Sequence, residues 1–449
     1  MLKFPYAISD FEKIITREQV YIDRTQHIRF VEDWGDQLLF LRPRRFGKSL
    51  WLSTLMTYYD LAKADDFERL FGHLAIGQEP TPLHNQYLVM RWDFSKVSAK
   101  GSLNDVQLSL SNHVNNRIDR FYEQYKEYLK IPIEIEPGDA FTSFERLMTA
   151  VAVSGHKLYL FIDEYDNFAN EVLMVSKVSD GLSKAVRAKV YEERQQKYID
   201  LVKGEGIFKT LFKNLKSAGS GDGLDRIFMT GVSPIVLSDM TSGANTFKDI
   251  TWQRKLNDLC GFNESEVQNM LDQVIDECNL ASEEGQSEEI LGQMRHFYNG
   301  SRFVTFNRGQ ELADIPRVYN PMLIFYFLEE FQDSCGYPEE MSDGNLESDR
   351  NKLAYIAAYP QGRSLLMDAL QGQGHVTVSS LRKRFGIKNL LRNDQQQEHL
   401  AILLTYLGLL TISGWNEQTN IHLEIPNSVM RQLYAEQALQ MMLKEKATY

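Results

Sequence analysis

Cysteine is nearly absent from this chain: three in 449 residues, at Cys260, Cys278 and Cys335. A set so small, odd in number and widely spaced argues against a disulfide scaffold or a zinc ribbon and fits a reducing compartment. The nine histidines include no His-x-x-x-His pair, and no Cys-x-x-Cys occurs, so no structural metal site is indicated. There is no apolar run of about twenty residues and no signal-peptide pattern, which leaves no membrane span and makes the cytoplasm the expected location. An excess of positive charge is missing too. Asp+Glu number 61 against 49 Lys+Arg, a formal net charge of −12, which argues against non-specific binding of nucleic acid by the whole surface while leaving room for a local patch. What is present is ordinary for a globular protein, with 43% hydrophobic and 24% charged residues, and long enough for two or three domains.

The most informative stretch is Gln37-Leu38-Leu39-Phe40-Leu41-Arg42-Pro43-Arg44-Arg45-Phe46-Gly47-Lys48-Ser49. An apolar strand runs into a basic turn, and a helical pattern follows through Leu50, Trp51, Leu55, Tyr58 and Tyr59. This is the strand–loop–helix context of a phosphate-binding loop. Backbone N–H groups of the turn and the helix N-terminus would hold phosphates, Lys48 would reach the β/γ-phosphates, and the Ser49 hydroxyl would sit on Mg²⁺. The consensus glycine five positions before Gly47 is replaced by Arg42, so Arg42-Pro43 must shape the loop differently. In exchange Arg42, Arg44 and Arg45 offer charge-assisted bonds to phosphate oxygens. Taken alone, Gly-Lys-Ser is equally consistent with a basic turn and a solvated lysine.

Two further strands weigh against that bland reading. Lys157-Leu158-Tyr159-Leu160-Phe161-Ile162-Asp163-Glu164 is a continuous apolar run ending in carboxylates, the pattern of a central parallel strand buried on both faces. There Asp163 could bind Mg²⁺ through water, and Glu164 could orient or deprotonate the attacking water. Asp166 reads as structural, a cap for the following helix. Arg226-Ile227-Phe228-Met229-Thr230-Gly231 ends in a hydroxyl, the position at which P-loop ATPases of the additional-strand type sense the γ-phosphate; Thr230 is the candidate and Ser233 the alternative.

Residues 1–255 read as the P-loop core, with Leu88–Phe94 as another strand and two helical insertions at about 104–129 and 172–202. The second insertion alternates Lys and Arg with Glu and Asp, which suits either a solvated helix or an arm for a partner. Residues 256–345 read as a helical lid, opened by the capping sequence Asn263-Glu264-Ser265-Glu266. Arg302 is either a lid arginine reaching the γ-phosphate or a surface residue in a turn. Residues 346–449 suggest a winged-helix-like domain. Its parts are a strand Val376–Val378, Ser379 as N-cap before Leu381 and Phe385, a helix through Leu400–Leu407, and a hairpin with strands at Leu409–Ile412 and Ile421–Ile425. Arg382, Lys383, Arg384, Lys388 and Arg392 form a basic cluster without an interleaved acid, either a grip on a DNA backbone or a solvated face.

Arg42-Pro-Arg-Arg-Phe-Gly-Lys-Ser49 resembles the signature of a group of bacterial AAA-like P-loop ATPases usually joined to a C-terminal PD-(D/E)XK nuclease domain. Tyr21-Ile-Asp-Arg-Thr25, Arg91-Trp-Asp-Phe-Ser95, Asp163-Glu-Tyr-Asp166 and Thr230-Gly-Val-Ser-Pro234 are similar to its other core elements. Gly261–Val267, Tyr298-Asn-Gly300, Tyr319-Asn-Pro321 and Ile425-Pro-Asn427 are similar to its later landmarks, so the likeness spans almost the whole chain. Ser301 departs from the aromatic that usually follows Tyr-Asn-Gly. The chain also stops soon after Ile425-Pro-Asn427, and Glu445 with its neighbouring lysines reads as part of an ordinary charged terminal helix, so nuclease activity is not expected of it. The resemblance implies an α/β fold: an ASCE/AAA-like P-loop core with a parallel sheet, a helical lid and a winged-helix-like C-terminal domain. It implies ATP and Mg²⁺ as ligands, held by residues 42–50 (Arg42 through Ser49 and Leu50), with Lys48, Glu164 and Thr230 catalytic and Ser49 and Asp163 on the metal. The expected function is a switch that hydrolyses ATP and controls an effector in trans or a second copy, in a regulatory or defence role against foreign DNA. A scaffold that binds ATP without turnover and a DNA-binding regulator are the alternatives.

Overall fold

Five strands, all parallel, form the main sheet: β1 (Gln37–Leu41), β2 (Tyr87–Asp93), β3 (Lys157–Asp163), β4 (Leu224–Gly231) and β5 (Lys248–Asp249), in the order β2-β3-β4-β1-β5. The computed structural model describes residues 1–167, 171, 184–202, 206–219, 223–239, 246–280, 285–305, 312–342, 346–371, 376–381, 385–390, 396–416 and 420–446. The central strands are apolar on both faces because helices cover both sides, and Leu38–Leu41, Leu158–Ile162 and Ile227–Met229 are all buried. β4 lies between β1 and β3, pairing Phe40 with Thr230 and Ile162 with Met229. The strand carrying Asp163 is therefore not beside the P-loop strand but one strand removed from it. Thr230 fills the position between them.

The long helices take the expected places. Leu103–Tyr125 opens with a reciprocal capping box between Ser102 and Asp105 and buries Val106, Leu110, Val114, Ile118 and Phe121, spaced three or four residues apart. Lys184–Val202 is the described part of the second expected insertion, and it is not wholly solvated, since Tyr198, Leu201 and Val202 are buried. Helices Glu264–Glu277, Gln286–Tyr298 and Pro321–Ser334 follow the core, the first with a capping box between Asn263 and Glu266.

Cys278 and Cys335, just past the ends of the first and third of these helices, form a disulfide. That overturns the expectation of a chain without one; their separation of 57 residues hid a pairing that only helix packing creates. In the C-terminal hundred residues, β6 (Val376–Val378), β7 (Thr411–Trp415) and β8 (Ile421–Glu424) form an antiparallel sheet in the order β6-β8-β7, beside the helix Gln396–Tyr406. Ser379 is not an N-cap: it lies in a bend, Ser380 and Leu381 after it are not helical, its hydroxyl donates to Glu398, and among the described residues the next helix is the short Ile387–Leu390.

Candidate functional site

β1 ends at Leu41, and the chain turns into the helix Lys48–Tyr59. Two turn residues are left-handed, Arg45 with φ 69° and Gly47 with φ 97°. A Cβ on Gly47 would meet nothing within 4 Å, so backbone conformation rather than crowding asks for glycine there. A cavity of about 260 Å³ opens over this turn. Its lining includes the polar set Arg45, Gly47, Lys48, Ser49 and Glu164 and the mainly apolar set Pro5, Ile8, Tyr21, Phe262 and Phe325. A helix N-terminus with a lysine thus shares one cavity with apolar and aromatic side chains, a combination that suits a polyphosphate joined to a flat base.

Lys48 is buried, and its Nζ donates to the Pro43 carbonyl at 3.0 Å. Burial lowers its pKa, and the neighbouring carboxylates Glu164 and Asp163 work in the opposite direction. Glu164 is the mirror case: burial raises its pKa, while Lys48 and Arg44 pull it back down. Its backbone is left-handed, φ 49°, a conformation that costs a non-glycine residue roughly 1 kcal/mol and is typical of functional turns. Asp163 is held on both carboxylate oxygens, Oδ1 accepting from Thr230 Oγ1 at 2.6 Å and Oδ2 from Arg91 Nη2 at 2.6 Å. A carboxylate has about four lone-pair sites, so a water or a cation can still be accepted. Among the described residues no group of three or more His, Cys, Asp or Glu could hold a metal ion by itself. The donor set fits Mg²⁺, which takes one or two protein oxygens and completes its shell with phosphate and water.

Residues 5–241, more than half of the chain, match the family described as Predicted AAA-ATPase. The chain belongs to that family. Membership implies ATP binding. A curated relative, an uncharacterized protein in the vnfD 5' region of Azotobacter chroococcum mcd 1, is 23% identical over 448 residues, which is 96% of this chain and 72% of the relative. Among solved structures, the Aeropyrum pernix ORC2 protein (ADPNP–ADP complexes) aligns at 12% identity and TM-score 0.35, over 94% of this chain and 92% of its own. Cdc6p from Pyrobaculum aerophilum aligns at 9% identity and TM-score 0.30, over 96% and 94%.

Not every residue expected at the nucleotide of this AAA-ATPase is placed there. Arg42 is 1% exposed and outside the cavity lining. Its guanidinium donates to the carbonyls of Leu41, Thr251 and Leu256 and lies over the rings of Phe40 and Phe303, at 4.5 and 4.3 Å. Where the consensus has glycine, this loop has an internal strut, so the expected phosphate contact from Arg42 does not match its placement. Arg44 donates to Asn167 Oδ1 at 2.6 Å. Phe46 packs edge-on against Phe303, 5.2 Å between ring centroids, and Pro43 abuts Gly408. Leu50 lines the cavity. Arg302 donates from Nε to the Ile315 carbonyl at 3.0 Å and does not line the cavity, which favours the turn reading over a lid arginine. Asp166 has a structural part, as expected: its carboxylate accepts from the amides of Val232 and Ser233 and ties the end of β3 to the turn after β4, while the helix it was expected to cap lies largely outside the described residues. Arg382, Lys383, Arg384, Arg392 and the side chain of Lys388 lie outside the described residues.

Two contributors escaped sequence reasoning. Arg91 could have been flagged as a charge inside the otherwise apolar strand Leu88–Trp92. The apolar lining from Pro5 and Ile8 carries no motif. Among the described residues, no helix is long and apolar enough to cross a membrane.

Proposed function

We propose that this AAA-ATPase hydrolyses ATP and uses the nucleotide state to control a partner. The observation that carries this reading is the meeting of buried Lys48 and half-buried Glu164 in one cavity at a helix N-terminus, with Asp163, next in sequence to Glu164, hydrogen-bonded to Thr230. Lys48 and the loop amides would neutralise the phosphates, Ser49 and Asp163 would hold Mg²⁺, and Mg²⁺ would supply charge neutralisation at the β/γ-phosphates. Glu164, with its pKa raised by burial, is suited to take a proton from the attacking water, and Thr230 keeps Asp163 in place. In this reading the chain divides into a core of residues 1–255, a lid of 256–345 and a winged-helix-like unit of 346–449 that passes on the state. The partner is an effector in trans or a second copy. A defence role rests on the resemblance to nuclease-linked ATPases.

The test is phosphate release by wild type and Glu164→Gln. Turnover in wild type that falls at least about a hundredfold in the variant, with ATP still bound, supports hydrolysis. Equal, negligible rates in both overturn it. One observation favours the second reading, a scaffold that binds ATP without turnover: Arg91 and Thr230 already occupy both oxygens of Asp163.

A further inference from the structure

The phosphate-side arginine of the cavity is shared with the far end of the chain. Arg45 lines the cavity, and its Nη1 lies 3.8 Å from Asp349 Oδ2. Asp349 belongs to the helix Glu347–Ala357, and its other oxygen, Oδ1, is 2.7 Å from Lys352 Nζ. All three side chains are largely buried, at 19%, 15% and 8% exposure, so their charges act through a medium less polarisable than water. The same helix is tied to the last one, Ser428–Lys446, by Arg350 and Glu436 at 2.9 Å. A second contact joins the loop to this part of the chain, since a Cβ on Gly408 would meet Pro43 at 2.8 Å.

We propose that Asp349 is a positioning residue for the nucleotide site, competing with nucleotide phosphate for Arg45 and so linking occupancy of the cavity to the docking of the helix Glu347–Ala357. The proposal rests on the nucleotide reading above. Its geometry is a carboxylate bridge with unequal arms. The short arm, to Lys352, stays within one helix; the long arm, to Arg45, crosses between loop and helix. A polyphosphate arriving at the turn offers Arg45 a denser negative charge than one carboxylate, so the long arm is the one it displaces. Asp349 then remains paired with Lys352, no buried charge is stranded, and the helix loses its ion pair to the loop. Arg45 is held in a left-handed conformation that few residues other than glycine adopt, which fixes the direction in which its side chain leaves the turn.

The experiment measures ATP affinity in the presence of Mg²⁺ on the full chain for wild type, Asp349→Asn, Arg45→Ala and the double variant, with melting temperatures recorded for each. Asp349→Asn is expected to bind ATP about three- to tenfold more tightly, and Arg45→Ala more weakly. The gain from Asp349→Asn is expected to vanish in the Arg45→Ala background. Because Asp349→Asn leaves Lys352 without its carboxylate, Asp349→Asn combined with Lys352→Met repeats the measurement if the single variant folds poorly. ATP is also expected to speed amide hydrogen exchange in residues 347–357 of wild type and not of Arg45→Ala. Unchanged or weaker ATP binding by folded Asp349→Asn, or a gain that persists without Arg45, overturns the proposal alone. A wild type that binds no ATP overturns the nucleotide reading and the proposal together.

Discussion

Arg42 and Glu164 illustrate how far residue type alone specifies a role. A basic residue beside Gly-Lys-Ser reads as a phosphate ligand, yet Arg42 is consumed by three backbone carbonyls and two aromatic faces. Two of those acceptors, the carbonyls of Thr251 and Leu256, lie more than two hundred positions downstream, which no local pattern announces. Arg42→Met is expected to lower the free energy of unfolding by about 3 kcal/mol, since buried carbonyls lose charged donors, and urea denaturation measures it. Glu164 lines the cavity with Lys48, and its environment sets a pH dependence. Burial raises its pKa, and the base form must be ionised, so ATP turnover is expected to fall on acidification at a pH above the ordinary glutamate value of about 4.3. A kcat–pH profile whose acid limb stays at that ordinary value would remove Glu164 from the role. His113 gives a stability test of opposite origin. Burial, helped by Arg117, lowers its pKa to about 4, and its Nε2 accepts from the Asp93 amide at 3.2 Å. The folded value lies below the ordinary one of about 6.5, so the contribution of the neutral ring is complete above that pH and is lost as pH falls toward about 4. Relative to His113→Gln, wild type should therefore lose melting temperature more steeply across that window.

At the scale of elements, the main strands and several helices were legible because their signals are local and repeated. Apolar runs ending in functional groups marked β1, β3 and β4, and the capping sequence at Asn263 marked the start of the helix Glu264–Glu277. The failures fell where the signal is a single residue. Ser379 looked like a cap and instead serves Glu398, and the hold of Asp166 on the turn after β4 was not readable from its position after β3. Contacts between elements left only glycines as traces. Gly300 has φ 136°, and a Cβ there would lie 1.9 Å from the Pro426 carbonyl oxygen. Gly300→Ala is therefore expected to cost about 3 kcal/mol or more, because backbone cannot yield as a side chain would. Thermal or urea unfolding that moves by less than 1 kcal/mol would show that this junction can open.

Over the whole molecule, the disulfide between Cys278 and Cys335 closes a loop of 57 residues and ties two helices that follow the core. Chain-entropy reasoning gives it up to about 4 kcal/mol, so reduction or Cys278→Ala is expected to lower stability by a measurable part of that and to shift the mass of the alkylated protein. An unchanged melting temperature on complete reduction would contradict this. The order β2-β3-β4-β1-β5 has a similar standing, since the sequence announces strands but not which of them pair. By itself the sequence determined the parallel α/β core, the phosphate turn and the chemical identity of Lys48, Ser49, Asp163, Glu164 and Thr230, because each of these is written in contiguous residues. Only the tertiary structure decided that Arg42 braces the interior, that Arg91 meets Asp163, and that Asp349 reaches Arg45 across three hundred residues. The physical reason is that burial and charge pairing depend on which surfaces meet, and local periodicity carries no information about that.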